Sequence, residues 1–80
     1  MHEMHMIKDL LDDLLKAANK NEAAKVCKVY LKMGEFTEIN PEILTHYFKE
    51  HAKGTAAEGA EISIESSPTR ELRLVSFDCE

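Results

Sequence analysis

Residues 25–33 read Lys-Val-Cys-Lys-Val-Tyr-Leu-Lys-Met. Apolar residues at positions 27, 29, 31 and 33 alternate with the polar or amphipathic Lys28, Tyr30 and Lys32. A period of two is typical of a β-strand that buries one face. Gly34 ends the pattern. We therefore predict a strand over residues 25–33 with Cys27 on its buried side.

The segment before this strand has the spacing of a helix. Its apolar residues recur at steps of three and four, which places them on one face of a helix with a 3.6-residue period. Charged and polar residues occupy the other face. The pattern predicts a helix from about Met4 to Ala18 with this buried stripe: Ile7, Leu10, Leu11, Leu14, Leu15 and Ala18.

The segment after the strand begins with a strong helix start, Asn40-Pro41-Glu42. Asn is a favoured N-cap, Pro fits the first helical position, and Glu interacts well with the positive end of the helix dipole. Gly54 can adopt the left-handed conformation that ends a helix. The predicted apolar stripe of this helix is Ile43, Leu44, Tyr47, Phe48 and Ala52.

Two short extended segments complete the chain. Residues 60–65 alternate in polarity, residues 66–69 form a Ser-Ser-Pro-Thr turn, and Leu72 to Cys79 is again extended. A hairpin is the simplest arrangement, and the shift of the apolar set in the last strand predicts a bulge near Val75.

The order helix, strand, helix, strand, strand predicts an α+β fold, with two helices packed on one face of a three-stranded mixed sheet. The first and second strands are parallel if the second helix is a crossover. The pattern leaves open whether the third strand lies between them or at an edge. The expected core is Leu10, Leu11, Leu14, Val29, Leu31, Leu44, Phe48, Ile62, Ile64 and Val75.

Composition narrows the functional class. The 80 residues are enough for one domain with a small core. A formal net charge of −5 argues against nucleic acid or an anionic membrane as partner, because both need a basic surface. No apolar run is long enough for a membrane span or a secretory leader, so we expect a cytoplasmic protein. No nucleophile and base, phosphate loop or paired carboxylates can be recognised, so we do not expect an enzyme.

The chain starts Met1-His2-Glu3, which offers several nitrogen donors for a metal. They are the α-amine of Met1, the deprotonated amide and the ring of His2, and the amide of Glu3 as a fourth. Nitrogen donors in a plane suit Ni(II) or Cu(II). The site requires Met1 to be the true terminus, and a bulky His at position two should prevent removal of that methionine. The alternative is a disordered end that happens to contain histidine.

Other candidate ligands are weaker. Cys27 and Cys79 form no Cys-x-x-Cys pair, and the simplest interpretation is two buried thiols that act as small apolar residues. His46 and His51 are five residues apart, which does not place them on one helix face. His5 follows His2 by one turn if the first helix begins early. It is then either a further donor or an incidental surface residue.

Taken together, these segments resemble the HypA/HybF family of nickel-insertion accessory proteins for [NiFe] hydrogenase and urease. The resemblance rests on the initial MHE, on MGEFTEINPEIL, on GTAAEGAEISIE and on the closing ELRLVSFDCE, and it covers nearly all of residues 1–80. In this family the N-terminal amine and the residues of the MHE start bind nickel. The resemblance therefore implies Met1 and His2 as ligands, with Glu3 contributing its backbone amide.

One departure from the family is large. Its members carry a zinc-binding insertion with two Cys-x-x-Cys pairs between the second and third strands, and here only residues 66–70 occupy that place. We therefore expect residues 1–80 to be a single nickel-site domain from which the zinc module is absent, with transiently bound Ni(II) and no zinc.

The resemblance also implies a function and partners. It predicts a metallochaperone-like protein that assists nickel insertion into hydrogenase or urease, together with a HypB-like GTPase and the hydrogenase large subunit. The alternative is an interaction or regulatory module for metalloenzyme maturation that binds no metal and keeps the MHE start as a relic.

Overall fold

The computed structural model describes residues 2–35 and 39–79, and the side chains of residues 5–35 and 39–79. Its elements are α1 (His2–Lys20), β1 (Val26–Met33), α2 (Pro41–Ala52), β2 (Glu61–Ser66) and β3 (Leu72–Cys79). The predicted α+β class and element order are confirmed. No helix in the described ranges is long and apolar enough to cross a membrane.

The local signals around α2 are confirmed. The Asn40 side chain accepts a hydrogen bond from the Ile43 N–H at 2.8 Å, which satisfies one of the free donors at the helix start. Gly54 adopts φ +81° just after the helix, and its N–H donates to the Glu58 carboxylate at 2.8 Å. These contacts depend only on neighbouring residues, which is why the sequence predicts them well.

The sheet has the strand order β2-β1-β3. β1 pairs with β2 in parallel, as expected for a crossover through α2, and with β3 antiparallel. The predicted hairpin between β2 and β3 is therefore wrong, because β1 lies between these two strands. Once the crossover has placed β2 along one edge of β1, the other edge remains free, and β3 pairs with it.

This order sends the connection between β2 and β3, residues 67–71, across the end of β1. Gly34 follows β1, and its N–H donates to the Glu71 carbonyl at 2.7 Å. On the other side, the Ser67 N–H donates to the Met33 carbonyl at 3.0 Å. A Cβ atom on Gly34 would lie 1.5 Å from the Thr69 carbonyl oxygen. Glycine is thus required here by the close approach of two backbones.

The register of β3 contains the predicted bulge. Tyr30 pairs with Ser76 and Leu31 with Leu74, which leaves Val75 unpaired. Val75 is 48% exposed, so its assignment to the core is wrong. The bulge turns this side chain away from the helices, an effect that composition alone cannot predict.

A second bulge in β1 was not predicted. Val26 pairs with Cys79 and Lys28 with Asp78, so Cys27 is the extra residue. As a result Val26 is fully buried while Cys27 is only half-buried. The sequence prediction that Cys27 lies on the buried side is wrong for this reason.

The core lies between the helices and one face of the sheet. All predicted core residues except Val75 are buried or pack against it, with Ile62 and Ile64 partly buried at its margin. Ile43 was assigned to the apolar stripe of α2, but it is 39% exposed. The largest fully buried side chains are Phe48, Ile7, Leu14, Leu31, Leu44, Val26 and Val29.

Candidate metal centre

The N-terminal end of α1 is the candidate site. The helix begins at His2, two residues before the predicted start at Met4. The first four N–H groups of a helix have no partner within it. The backbone amides of His2 and Glu3 are therefore not needed for helix hydrogen bonds. Met1, and the side chains of His2 and Glu3, lie outside the described part of the structure.

His5 and Asp9 lie on one face of α1, near its N-terminal end. Both side chains are exposed, and the two residues are four positions apart in a continuous helix. Residues at i and i+4 lie on the same face, about one turn apart. Met6 lies nearby in sequence and is 37% exposed. The end of α1 thus presents an imidazole, a thioether and a carboxylate to solvent.

The other two histidines lie on α2. His46 is exposed on α2. His51 stacks on Tyr47 with the two ring centroids 4.2 Å apart and an interplanar angle of 28°. The His51 side chain is nevertheless exposed. Within residues 5–35 and 39–79, no group of three or more His, Cys, Asp or Glu side chains is arranged to hold a metal ion.

The two cysteines lie closer together than their sequence separation implies. Because Val26 pairs with Cys79, Cys27 lies on the neighbouring strand beside it. Neither forms a disulfide, and Cys79 is exposed. The expectation of two buried thiols is therefore wrong for Cys79. No feature of the sequence could reveal this proximity, because it depends on β3 pairing with β1.

The sheet face opposite the helices carries a polar network that the sequence analysis missed. The Tyr30 hydroxyl donates to the Asp78 carboxylate at 2.8 Å, and this hydrogen bond is the main reason that the pKa of Tyr30 is raised. Lys28 lies 3.8 Å from the Glu61 carboxylate, and its ammonium is 5.2 Å from the centre of the Tyr30 ring. These contacts tie all three strands together at the surface.

A second polar cluster lies in the connection between β2 and β3. The Glu71 carboxylate accepts hydrogen bonds from the Ser67 and Thr69 hydroxyls at 2.6 and 2.7 Å, and from Arg73 Nε at 2.9 Å. Hydrogen bonds from Ser67 and then Thr69 lower the pKa of Glu71 to about 2, since they stabilise the ionised form. This short connection therefore satisfies its own polar groups.

The fold and the helix end together define a class: a small α+β domain with a candidate metal site, rich in nitrogen donors, at the N-terminal end of α1. The family model described as "Hydrogenase/urease nickel incorporation, metallochaperone, hypA" matches residues 1–79. The chain belongs to this HypA family.

Curated relatives agree with this assignment. The chain is 42% identical over 65 residues to the hydrogenase maturation factor HypA of Methanopyrus kandleri. The aligned residues cover 81% of this chain and 46% of the relative. It is 40% identical over 72 residues to the HypA of Archaeoglobus fulgidus, covering 88% and 66%. It is 32% identical over 80 residues to the HypA of Methanothermobacter thermautotrophicus, covering 100% and 61%. The chain thus spans about half to two thirds of the length of the relatives it matches.

Solved structures support the fold. The solution structure of the Ni metallochaperone HypA from Helicobacter pylori matches with a TM-score of 0.79 at 15% identity, over 96% of this chain and 96% of that one. A second solution structure, of a HypA protein, also gives 0.79 at 17% identity, over 100% of this chain and 97% of that one. At these identities the matches show a shared fold.

Proposed function

We propose that this chain binds Ni(II) at its N-terminal end, through Met1, His2 and Glu3, and assists the insertion of nickel into [NiFe] hydrogenase or urease. The observation that carries the proposal is the family match over residues 1–79, which includes the MHE start. The start of α1 at His2 is compatible with it, because the amides of His2 and Glu3 are free of helix hydrogen bonds.

The chemistry of the donors suits a carrier. The Met1 amine, the His2 amide and the His2 ring provide three nitrogens, and the Glu3 amide is available as a fourth. Nitrogen ligands in a plane favour Ni(II), whereas Mg²⁺ and Ca²⁺ prefer oxygen. A site at a chain end can exchange its ligands one at a time. Protonation of these nitrogens weakens metal binding, which provides a route to release.

We further propose that residues 1–80 act as a single nickel-site domain without a zinc module. The connection between β2 and β3 has only five residues, 67–71. Within it, the Ser67 and Thr69 hydroxyls donate hydrogen bonds to the Glu71 carboxylate. Structural zinc sites use four Cys or His ligands. The cysteine pair Cys27 and Cys79 supplies only two thiols.

The partners follow from the same proposal. A carrier of this family would receive or deliver nickel together with a HypB-like GTPase, and the recipient would be the hydrogenase large subunit. The role requires binding and transfer rather than catalysis by this chain, and it takes place in the cytoplasm, where these partners act.

The direct test is a calorimetric titration of Ni(II) into protein that starts with Met1, compared with His2→Ala and His46→Ala. We expect nickel binding in the parent chain and in His46→Ala, and its loss in His2→Ala with an unchanged melting temperature. His46 is a suitable control because it is exposed and lies on α2. If the parent chain binds no nickel, the alternative role as an interaction or regulatory module is favoured.

A further inference from the structure

We propose that a groove between α1 and the outer edge of β3 binds an extended basic segment of a partner protein, which adds to the sheet as a fourth strand. This α1–β3 groove has a volume of about 470 Å³, and it is lined by Met6, Asp9, Leu10, Asp13, Leu72, Arg73 and Leu74. All of these side chains belong to the described part of the structure. The inference uses no residue of the MHE start and goes beyond nickel binding.

The strand β3 offers a free edge beside this groove. In the sheet order β2-β1-β3 it pairs with β1 on one side, and no strand within residues 2–35 and 39–79 pairs with its outer side. The N–H and C=O groups along that outer side are therefore available to another strand. An extended peptide that adds to such an edge gains main-chain hydrogen bonds, while its alternate side chains fill neighbouring pockets.

The groove has an apolar floor on the side of the sheet that α1 covers. Leu10 of α1 is buried, and Leu72 and Leu74 of β3 are half-buried and pack against the core. Leu74 pairs with the buried Leu31, which places both on the covered face. Met6, which is 37% exposed, extends the apolar surface along the helix. A strand added beside β3 would turn every second side chain toward this floor.

The rim of the groove is acidic. Asp9 and Asp13 are exposed on α1, and among the described residues neither takes part in an ion pair or a hydrogen bond. The basic residue of the lining, Arg73, is already held by Glu71, with its Nε 2.9 Å from the carboxylate oxygen. A lysine or arginine can lay its methylene stem on an apolar floor and keep its charged end at the surface. Such a side chain fits both the floor and the rim.

The spacing of the two carboxylates also suits a strand. Asp9 and Asp13 are four residues apart in one continuous helix, which is about 6 Å along its axis. Residues at alternate positions of a strand face the same side and are about 6.6 Å apart. Two basic residues at alternate positions of the added strand would therefore each meet one carboxylate.

A second copy of this chain is a poorer occupant than a basic partner. The chain has a formal net charge of −5. Its edge strands β2 and β3 carry three acidic residues, Glu61, Glu65 and Asp78, and one basic residue, Arg73. Placing either strand in the groove would bring like charges together at the rim, which weakens binding.

The test uses a fluorescent synthetic peptide of alternating arginine and threonine with the 8-residue length of β3. One control peptide has glutamate in place of every arginine. The other keeps the arginines but carries N-methyl groups on its two central amides, one facing each edge, so that it retains its charge and loses donors for strand pairing. Fluorescence anisotropy at low ionic strength should show saturable binding of the arginine peptide and about tenfold weaker binding, or none, for both controls.

Two neighbouring aspartates provide matched protein variants. Asp12 is exposed on α1 like Asp13, but only Asp13 lines the groove. We expect Asp13→Asn to weaken binding of the arginine peptide about threefold and the double variant Asp9→Asn/Asp13→Asn about tenfold, whereas Asp12→Asn keeps the parent affinity. The melting temperatures should match that of the parent, because all three side chains are exposed.

Amide hydrogen exchange locates the bound peptide. Binding should slow exchange at the β3 amides that face away from β1 and leave the outer edge of β2 unchanged. Equal affinity for a control peptide, equal losses in Asp12→Asn and Asp13→Asn, or protection of β2 instead of β3 would each refute the proposal. A stable dimer whose β3 edge is protected before peptide is added would also refute it. A chelator is present throughout, so the result does not depend on nickel binding.

Discussion

Replacing Gly34 by Ala tests the most unusual feature of the fold, the passage of residues 67–71 across the end of β1. The added Cβ would lie 1.5 Å from the Thr69 carbonyl oxygen and 2.9 Å from the Glu71 nitrogen. Ordinary contacts begin at 3.4 Å, so the connection must retreat by roughly 2 Å. Both obstacles are backbone atoms, so no change of rotamer can relieve the clash.

The size of the effect follows from what this retreat breaks. It separates the Gly34 N–H from the Glu71 carbonyl and the Ser67 N–H from the Met33 carbonyl, now at 2.7 and 3.0 Å. Each hydrogen bond contributes about 1 kcal/mol net, and overpacking costs about 1–3 kcal/mol. We therefore expect Gly34→Ala to lower the free energy of unfolding by about 3–5 kcal/mol. For a chain of this length the total is only about 4–12 kcal/mol.

Urea denaturation followed by circular dichroism measures this loss directly, with Gly54→Ala as the matched control. At Gly54 an added Cβ meets no atom within 4 Å, and only the positive φ of 81° is unfavourable. That conformation costs about 1 kcal/mol for an alanine. A loss for Gly34→Ala no greater than that for Gly54→Ala would show that the connection does not cross β1 as described.

Three further predictions concern the core, the connection and the metal content. Leu14 is fully buried and Ile43 is 39% exposed, so Leu14→Ala should lower the free energy of unfolding by about 2–5 kcal/mol and Ile43→Ala by clearly less in the same urea assay. Because the pKa of Glu71 is about 2 when folded and 4.5 otherwise, its contribution to stability is present above about pH 4.5 and is lost as the pH falls toward 2. Glu71→Gln should therefore be less stable than the parent at pH 7, and its melting temperature should fall less than that of the parent between about pH 4.5 and 2. An equal fall in the two proteins would contradict the Ser67 and Thr69 contacts. A chelator should leave the melting temperature of the untagged protein unchanged, whereas tightly held zinc and melting on chelation would refute the proposal that no zinc module is present.

Local signals in this sequence predict local structure well. Asn40, Pro41 and Gly54 fix the ends of α2 through contacts within a few residues, and the structure places them as expected. The parallel pairing of β1 and β2 also follows, because a helix between two strands favours a crossover.

Contacts between residues far apart in the sequence, such as strand pairing and register, could not be predicted in the same way. The proximity of β2 and β3 in sequence favours a hairpin, but β3 pairs with the free edge of β1 instead. The sequence predicts Gly34 only as the end of a strand, although its main constraint is the close approach of the Thr69 backbone. The sequence predicts the bulge near Val75 but not the exposure of that side chain, and it gives no sign of the bulge at Cys27, which depends on the register of β3.

The candidate site could be predicted from the sequence only in part. The MHE start offers nitrogen donors that suit Ni(II) or Cu(II), but its assignment as a nickel site rests on the resemblance to the HypA/HybF family and stays a prediction. The start of α1 at His2 could not be read from the apolar period, because that period begins only at Ile7.

The central claim is that the α-amine of Met1 binds nickel, and one added residue tests it. Extending the chain by a single glycine converts that amine into an amide and displaces the His2 ring from its chelate position. Among residues 5–35 and 39–79 the first core residue is Ile7, so the core should not be affected. Calorimetric titration of Ni(II) into the extended and the unextended chain should show tight binding only in the chain that starts with Met1, with equal melting temperatures for the two. Equal nickel affinity in both chains would contradict the account.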